Sequence, residues 1–122
     1  MNYPTEHQIQ SAFVEWCRLN EKRIPGLRVA FAVPNGGNRN KVTASLLKAE
    51  GVRPGVPDWM CPARSWNEQY TGLAIEFKTH NGSQSPAQKA YSMLLVEQGW
   101  YYLVCRTTQA AINMVEDYFN AH

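Results

Sequence analysis

The chain is short of the features that mark many functional classes. Its three cysteines, Cys17, Cys61 and Cys105, lie far apart and in or beside apolar segments. No Cys-x-x-Cys or Cys/His spacing occurs, which excludes the common structural zinc sites, and an odd count argues against a disulfide framework. Buried, reduced thiols in a cytoplasm are the expectation. His7, His80 and His122 are isolated from one another, so a histidine-based one-metal nuclease fails on inventory. Charge of one sign is scarce. A net charge of +2 permits a local basic face without demanding nucleic acid. No apolar run approaches the ~20 residues of a membrane span, and the N-terminus lacks a signal-peptide pattern, so a soluble, intracellular protein with no membrane partner is expected. Repeats, low-complexity tracts and linkers are missing too. What remains is 122 residues, 44% hydrophobic and 18% charged, the size and composition of one folded domain over residues 1–122.

Periodicity then gives the elements. Residues 5–20 form an expected amphipathic helix, with Ile9, Ala12, Phe13, Trp16 and Cys17 on one face and Thr5 with Gln8 as a capping box. After the Pro25-Gly26 break, residues 27–33 predict a short strand with Val29, Phe31 and Val33 on one face, stopped at Pro34-Asn35-Gly36-Gly37. Residues 39–50 predict a second helix (Val42, Leu46, Leu47 inward) ended by Gly51. Strands follow at 58–61 and 72–79, joined by the polar segment Arg64–Tyr70. Ser85-Pro86 opens a third helix with Tyr91, Leu94 and Leu95 inward. Residues 100–105 predict another strand, and Thr108 is expected to cap a last helix.

The chemistry concentrates between Gly55 and Lys78. Asp58 follows Pro57, and Glu76 and Lys78 stand two apart in an apolar strand. Strand alternation puts Glu76 and Lys78 on one face and Phe77 on the other. Burying an acid and an ammonium on one face is unfavourable unless each has a partner. A divalent cation held by Asp58 and Glu76 is the simplest such partner. Mg²⁺ or Mn²⁺ suits hard oxygen ligands in octahedral geometry. Lys78 suits either of two roles, orienting the attacking water or stabilising charge on the phosphate. The bland alternatives are a turn aspartate and a Glu76–Lys78 ion pair. Glu6 falls near the inward face of the first helix, although an acid there also suits the helix dipole. Gln88 is fully explained as the capping-box partner of Ser85. Asn35, Gly36 and Gly37 make a tight turn that a phosphate backbone could approach, with Arg39 and Lys41 close behind. Arg53, Arg64, His80 and Lys89 sit in segments flanking the expected site.

These pieces together resemble the VRR-NUC family of the PD-(D/E)xK nuclease superfamily, whose small virus-type members stand alone. The resemblance rests on Glu6 in the first helix, Val33–Gly37, Gly51-Val52-Arg53-Pro54-Gly55-Val56-Pro57-Asp58, Ile75-Glu76-Phe77-Lys78, and Ser85-Pro86-Ala87-Gln88 leading to Tyr91. It implies a restriction-endonuclease-like α/β fold: an αβββαβ core, a mixed sheet flanked by helices, an inserted helix and a C-terminal helix. It implies a Mg²⁺ or Mn²⁺ site formed by Asp58, Glu76, the Phe77 carbonyl and Glu6, with Gln88 beside it. It further implies a homodimer that cuts branched or four-way junction DNA in a bacterial or phage-infected cytoplasm. The competing readings are a nuclease of the same fold acting on linear or nicked DNA, and a non-cleaving DNA-binding module. No motif marks a protein partner such as a helicase.

Overall fold

A computed structural model describes residues 2–34 and 41–122. Helix α1 (Glu6–Asn20) starts at Thr5, whose hydroxyl accepts from the Gln8 N–H while the Thr5 N–H donates to Gln8 Oε1. This reciprocal pair satisfies two otherwise orphaned donors. The inward stripe is Ile9, Phe13 and Cys17, whereas Ala12 is exposed.

The strand expected over 27–33 is mostly not a strand. Pro25 starts a 3-10 turn, Pro25–Val29, closed by bonds from Leu27 N–H to Ile24 O and from Ala30 N–H to Leu27 O. Proline's fixed φ favours this first helical position. The turn buries Leu27 and leaves Val29 outside. Only β1 (Phe31–Ala32) remains extended, with Phe31 half exposed.

Helix α2 (Lys41–Ala49) has no buried residue. Val42 and Leu46, expected inward, are 70% and 61% exposed. The helix stands outside the sheet, as an insertion should, and Gly51 ends it at φ +100°, a left-handed value suited to glycine. The Val52 N–H returns to the Leu47 carbonyl.

Strands β2 (Trp59–Cys61), β3 (Gly72–Phe77) and β4 (Trp100–Cys105) complete a sheet of order β1-β2-β3-β4. β1 to β3 pair antiparallel, and β3 and β4 pair parallel through α3 (Pro86–Glu97). The sheet is mixed and the order is αβββαβ, with α2 inserted and α4 (Thr108–Phe119) at the end. Helices α1 and α4 cover one face, where Phe13, Leu73, Ile75, Phe77, Val115 and Tyr118 share a core. Helix α3 covers the other, where its Leu95 packs with Met60 and Ala74 of the sheet. Leu94, expected inward, faces out, because Tyr91 and Leu95 form the i, i+4 inner stripe. Thr107, one residue before the expected cap, caps α4 by accepting from the Ala110 N–H. The Thr108 hydroxyl instead donates to the Ile9 carbonyl and ties α4 to α1. All three cysteines are free and buried. Burial raises their thiols to about 12, 12 and 11 for Cys17, Cys61 and Cys105, which keeps them inert.

Candidate active site

The site forms where β2 and β3 run out at the same end of the sheet. Trp59 pairs with Ile75, so the same register continued by two residues would set Pro57 against Phe77. Proline has no N–H and cannot give the Phe77 carbonyl its ladder bond. The Lys78 N–H donates to Cys105 O on β4, so by alternation the Phe77 N–H and C=O both face the β2 side. There the Phe77 N–H donates to Asp58 Oδ2 at 2.7 Å. The Asp58 main-chain carbonyl meanwhile accepts from Val33 N–H at 2.8 Å, extending the β1–β2 pairing. A proline followed by an aspartate thus places a carboxylate and a main-chain carbonyl side by side at the strand ends.

Glu76 is 1% exposed. Its Oε2 accepts from Gln88 Nε2 at 2.9 Å, while Oε1 is buried with no hydrogen-bond partner among the described residues. The Glu76 carboxyl is pushed up to about 8, first by burial and then by the hydrogen-bonding, negatively charged Asp58 carboxyl. The Lys78 charge opposes this shift, and Glu6 adds a smaller push in the same direction. A buried acid with an orphaned oxygen against a second acid is a poor way to stabilise a fold. It is a good place for a cation, which would satisfy Oε1 and let both carboxyls ionise. The donor set therefore fits a hard divalent ion. Among the described residues no group of three His, Cys, Asp or Glu converges, so further ligands would come from the Phe77 carbonyl and water.

Strand alternation holds as expected: Phe77 packs on Phe13 of α1, and Glu76 meets Gln88 of α3. Gln88 fills both roles considered for it. Its Oε1 accepts from the Ser85 N–H as part of the α3 capping box, and its Nε2 holds Glu76. Glu6 is exposed and lines a cleft of about 800 Å³ with Asp58, Glu76 and Gln88, but it does not form a three-acid ligand cluster with the pair. Lys78 is half-buried just past β3. Arg53 lines a second cleft beside the first, and Lys41 and Lys89 are exposed on α2 and α3. Asn35, Gly36, Gly37 and Arg39 lie outside the described residues. Arg64 does not flank the site. It pairs with Glu68 in the β2–β3 loop, at the opposite end of those strands. His80 stacks on Tyr3, ring centroids 3.6 Å apart, and so joins the segment leading into Glu6 to the turn after Lys78.

The model of the VRR-NUC domain matches residues 1–109 of this chain, from before Glu6 to past β4. The chain belongs to the VRR-NUC family. A solved structure described as a VRR_NUC domain protein shares the fold, with a TM-score of 0.81 at 24% identity over 99% of this chain and 93% of that one. Among curated proteins none matches significantly. Family membership makes this a nuclease domain.

Several residues of this VRR-NUC domain were not singled out from the sequence alone. His7, Ser11, Val14 and Arg18 line the acid cleft. Their spacing of four, three and four along α1 was the available signal, a mainly polar stripe beside the apolar one. Lys48 lines the second cleft. Arg106 donates to the carbonyls of Thr79 and Gly82 and fixes the turn behind Lys78. Gln84 donates to the Tyr102 hydroxyl and anchors the approach to α3. Neither of these last two contacts leaves a periodic trace, because both cross between segments distant in sequence.

Proposed function

We propose that this nuclease domain is a divalent-metal-dependent endonuclease that hydrolyses phosphodiester bonds in DNA, acts on branched substrates such as four-way junctions, and works as a homodimer. The observation that carries the metal dependence is the Glu76 carboxylate, buried beside Asp58 with Oε1 unsatisfied. Asp58, Glu76 and the Phe77 carbonyl would hold Mg²⁺ or Mn²⁺. When bound, such an ion acidifies water and neutralises charge on the scissile phosphate. The chain's own groups do the rest. Gln88 fixes Oε2 of Glu76, while Oε1 stays buried with no hydrogen-bond partner among the described residues. The Phe77 N–H fixes Oδ2 of Asp58. Lys78, whose charge already reaches Glu76, stabilises the negative charge that builds on the phosphate. A non-cleaving DNA-binding module would have no use for a buried acid pair.

The preference for branched DNA and the dimer rest on the family resemblance. The dimer gains support from α3, where Met93, Leu94 and Val96 are exposed beside the edge strand β4. A two-fold dimer would match the symmetry of a four-way junction. The test is cleavage of labelled junction, flap and linear duplex by wild type and Lys78→Ala, each with Mg²⁺, Mn²⁺ or EDTA. Metal-dependent cutting of branched DNA, lost in Lys78→Ala, is expected. Equal cutting of linear duplex would overturn the branched-substrate claim, and no cutting by folded protein would overturn the enzyme.

A further inference from the structure

The cleft holding the acid pair does not end at Gln88. That side chain, with Pro34, also lines a second cleft of about 700 Å³, within the range of roughly 300–1,000 Å³ typical of small-molecule pockets. The two lobes differ in chemistry. The acid lobe is lined mostly by polar side chains of α1 around Asp58 and Glu76. The second lobe has aliphatic walls, Leu47 of α2 with Val52, Pro54 and Val56 of the following loop, and two cations, Lys48 and Arg53. No acid lines it among the described residues. Its loop wall is held in place by Gly55, which lies so close to α3 that a Cβ there would stand 2.2 Å from the Ala87 carbonyl oxygen. The helix α2, which buries nothing in the core, turns its Ala44 and Leu47 toward this lobe.

Resting on the nuclease reading above, we infer that the second lobe takes one unpaired nucleotide next to the scissile phosphate, its base against the aliphatic walls and the Arg53 guanidinium plane and its phosphate toward Lys48. A strand with its scissile phosphate over Asp58 and Glu76 that continues past Gln88 meets this lobe, because Pro34 and Gln88 line both clefts. A base paired in a duplex cannot enter a concave pocket without leaving its stack. An already unpaired nucleotide enters without that loss, and an arginine plane is a common platform for a free base. The lobe therefore selects DNA with an unpaired nucleotide at the cut, which a flap carries outright and a four-way junction supplies when a pair at its branch point opens.

The test is binding by fluorescence anisotropy in Ca²⁺, using the full chain and three duplexes alike except at one position: fully paired, one bulged thymidine, one bulged abasic site. Wild type should bind the thymidine bulge about tenfold more tightly than the abasic bulge, equivalent to about 1.4 kcal/mol and in the range of one base contact. Ala44→Trp, which fills the lobe from an exposed helix position, should bring the ratio to near one. Arg53→Gln should lower it as well and serves if Ala44→Trp fails to fold by circular dichroism. Equal affinity of wild type for both bulges, or a ratio unchanged by either variant, would overturn the inference. Hydrolysis of bis(p-nitrophenyl) phosphate by wild type with Mn²⁺, a diester with no base, tests the nuclease reading separately.

Discussion

Among the described residues, Glu76 stands out as carrying a buried side-chain oxygen with no hydrogen-bond partner. Its carboxyl is raised from 4.5 to about 8 by burial and by Asp58, so the folded state binds a proton that the unfolded chain releases. Stability from this group is full below about 4.5 and is lost as pH rises through about 8. Metal-free wild type should therefore lose stability between pH 5 and 8, by on the order of a few kcal/mol, and Glu76→Gln should remove that slope. Urea denaturation in EDTA across this range checks it; parallel slopes would contradict it. At Lys78 the account assigns charge rather than base catalysis. Lys78→Arg should then keep within about tenfold of wild-type cleavage, whereas Lys78→Ala should lose about a hundredfold or more. Equal loss in both variants, measured in single-turnover cleavage, would favour a base. The meeting of Asp58 with Glu76 was legible in the sequence because proline and strand alternation are local rules. The exposed place of Glu6 on the cleft wall was not, since helix periodicity gives a side chain's direction but not its distance from another element. Arg64 was misplaced for the converse reason: nearness in sequence to Asp58 says nothing about which end of a strand a residue occupies.

At the scale of elements, α3 and the loop before β2 depend on each other. Gly55 combines φ +82° with a contact that leaves no room for Cβ against Ala87 and the Gln88 N–H. Gly55→Ala should cost about 2 kcal/mol or more and lower Tm by on the order of 5–10 °C. It should also weaken cleavage beyond that, because moving the first turn of α3 moves Gln88 off Glu76. Thermal denaturation with single-turnover cleavage of the folded fraction checks both, and an unchanged Tm would contradict the packing. The helices, β3 and β4 could be read from sequence because an apolar period marks each of them, with capping boxes opening α1 and α3 and glycines following α2 and α3. The stretch 27–33 could not. Leu27, Val29, Phe31 and Val33 alternate as a strand would, yet Pro25 starts a 3-10 turn that buries Leu27 against the core. Helix α2 shows a similar limit. Of its apolar stripe Leu47 borders an open cleft, while Val42 and Leu46 are exposed, and periodicity alone does not say which surface a stripe meets.

For the whole molecule, two helices on one face of the sheet and one on the other leave both β1 and β4 as edges. The exposed Met93, Leu94 and Val96 lie on α3, the helix that leads into β4. Wild type should sediment at twice the chain mass, and Leu94→Asp, a surface change that leaves the core untouched, should sediment at the chain mass. Both sedimenting at twice the chain mass would place the contact elsewhere, and both at the chain mass would overturn the dimer. All of this serves one centre at the open ends of β2 and β3. The most direct measurement of that centre is cleavage of a labelled four-way junction by wild type and Glu76→Gln, with Mg²⁺ and with EDTA. Wild type should cut in Mg²⁺ and not in EDTA, and Glu76→Gln should lose about a thousandfold despite a fold at least as stable. Cutting that persists in EDTA, or in Glu76→Gln, would contradict it.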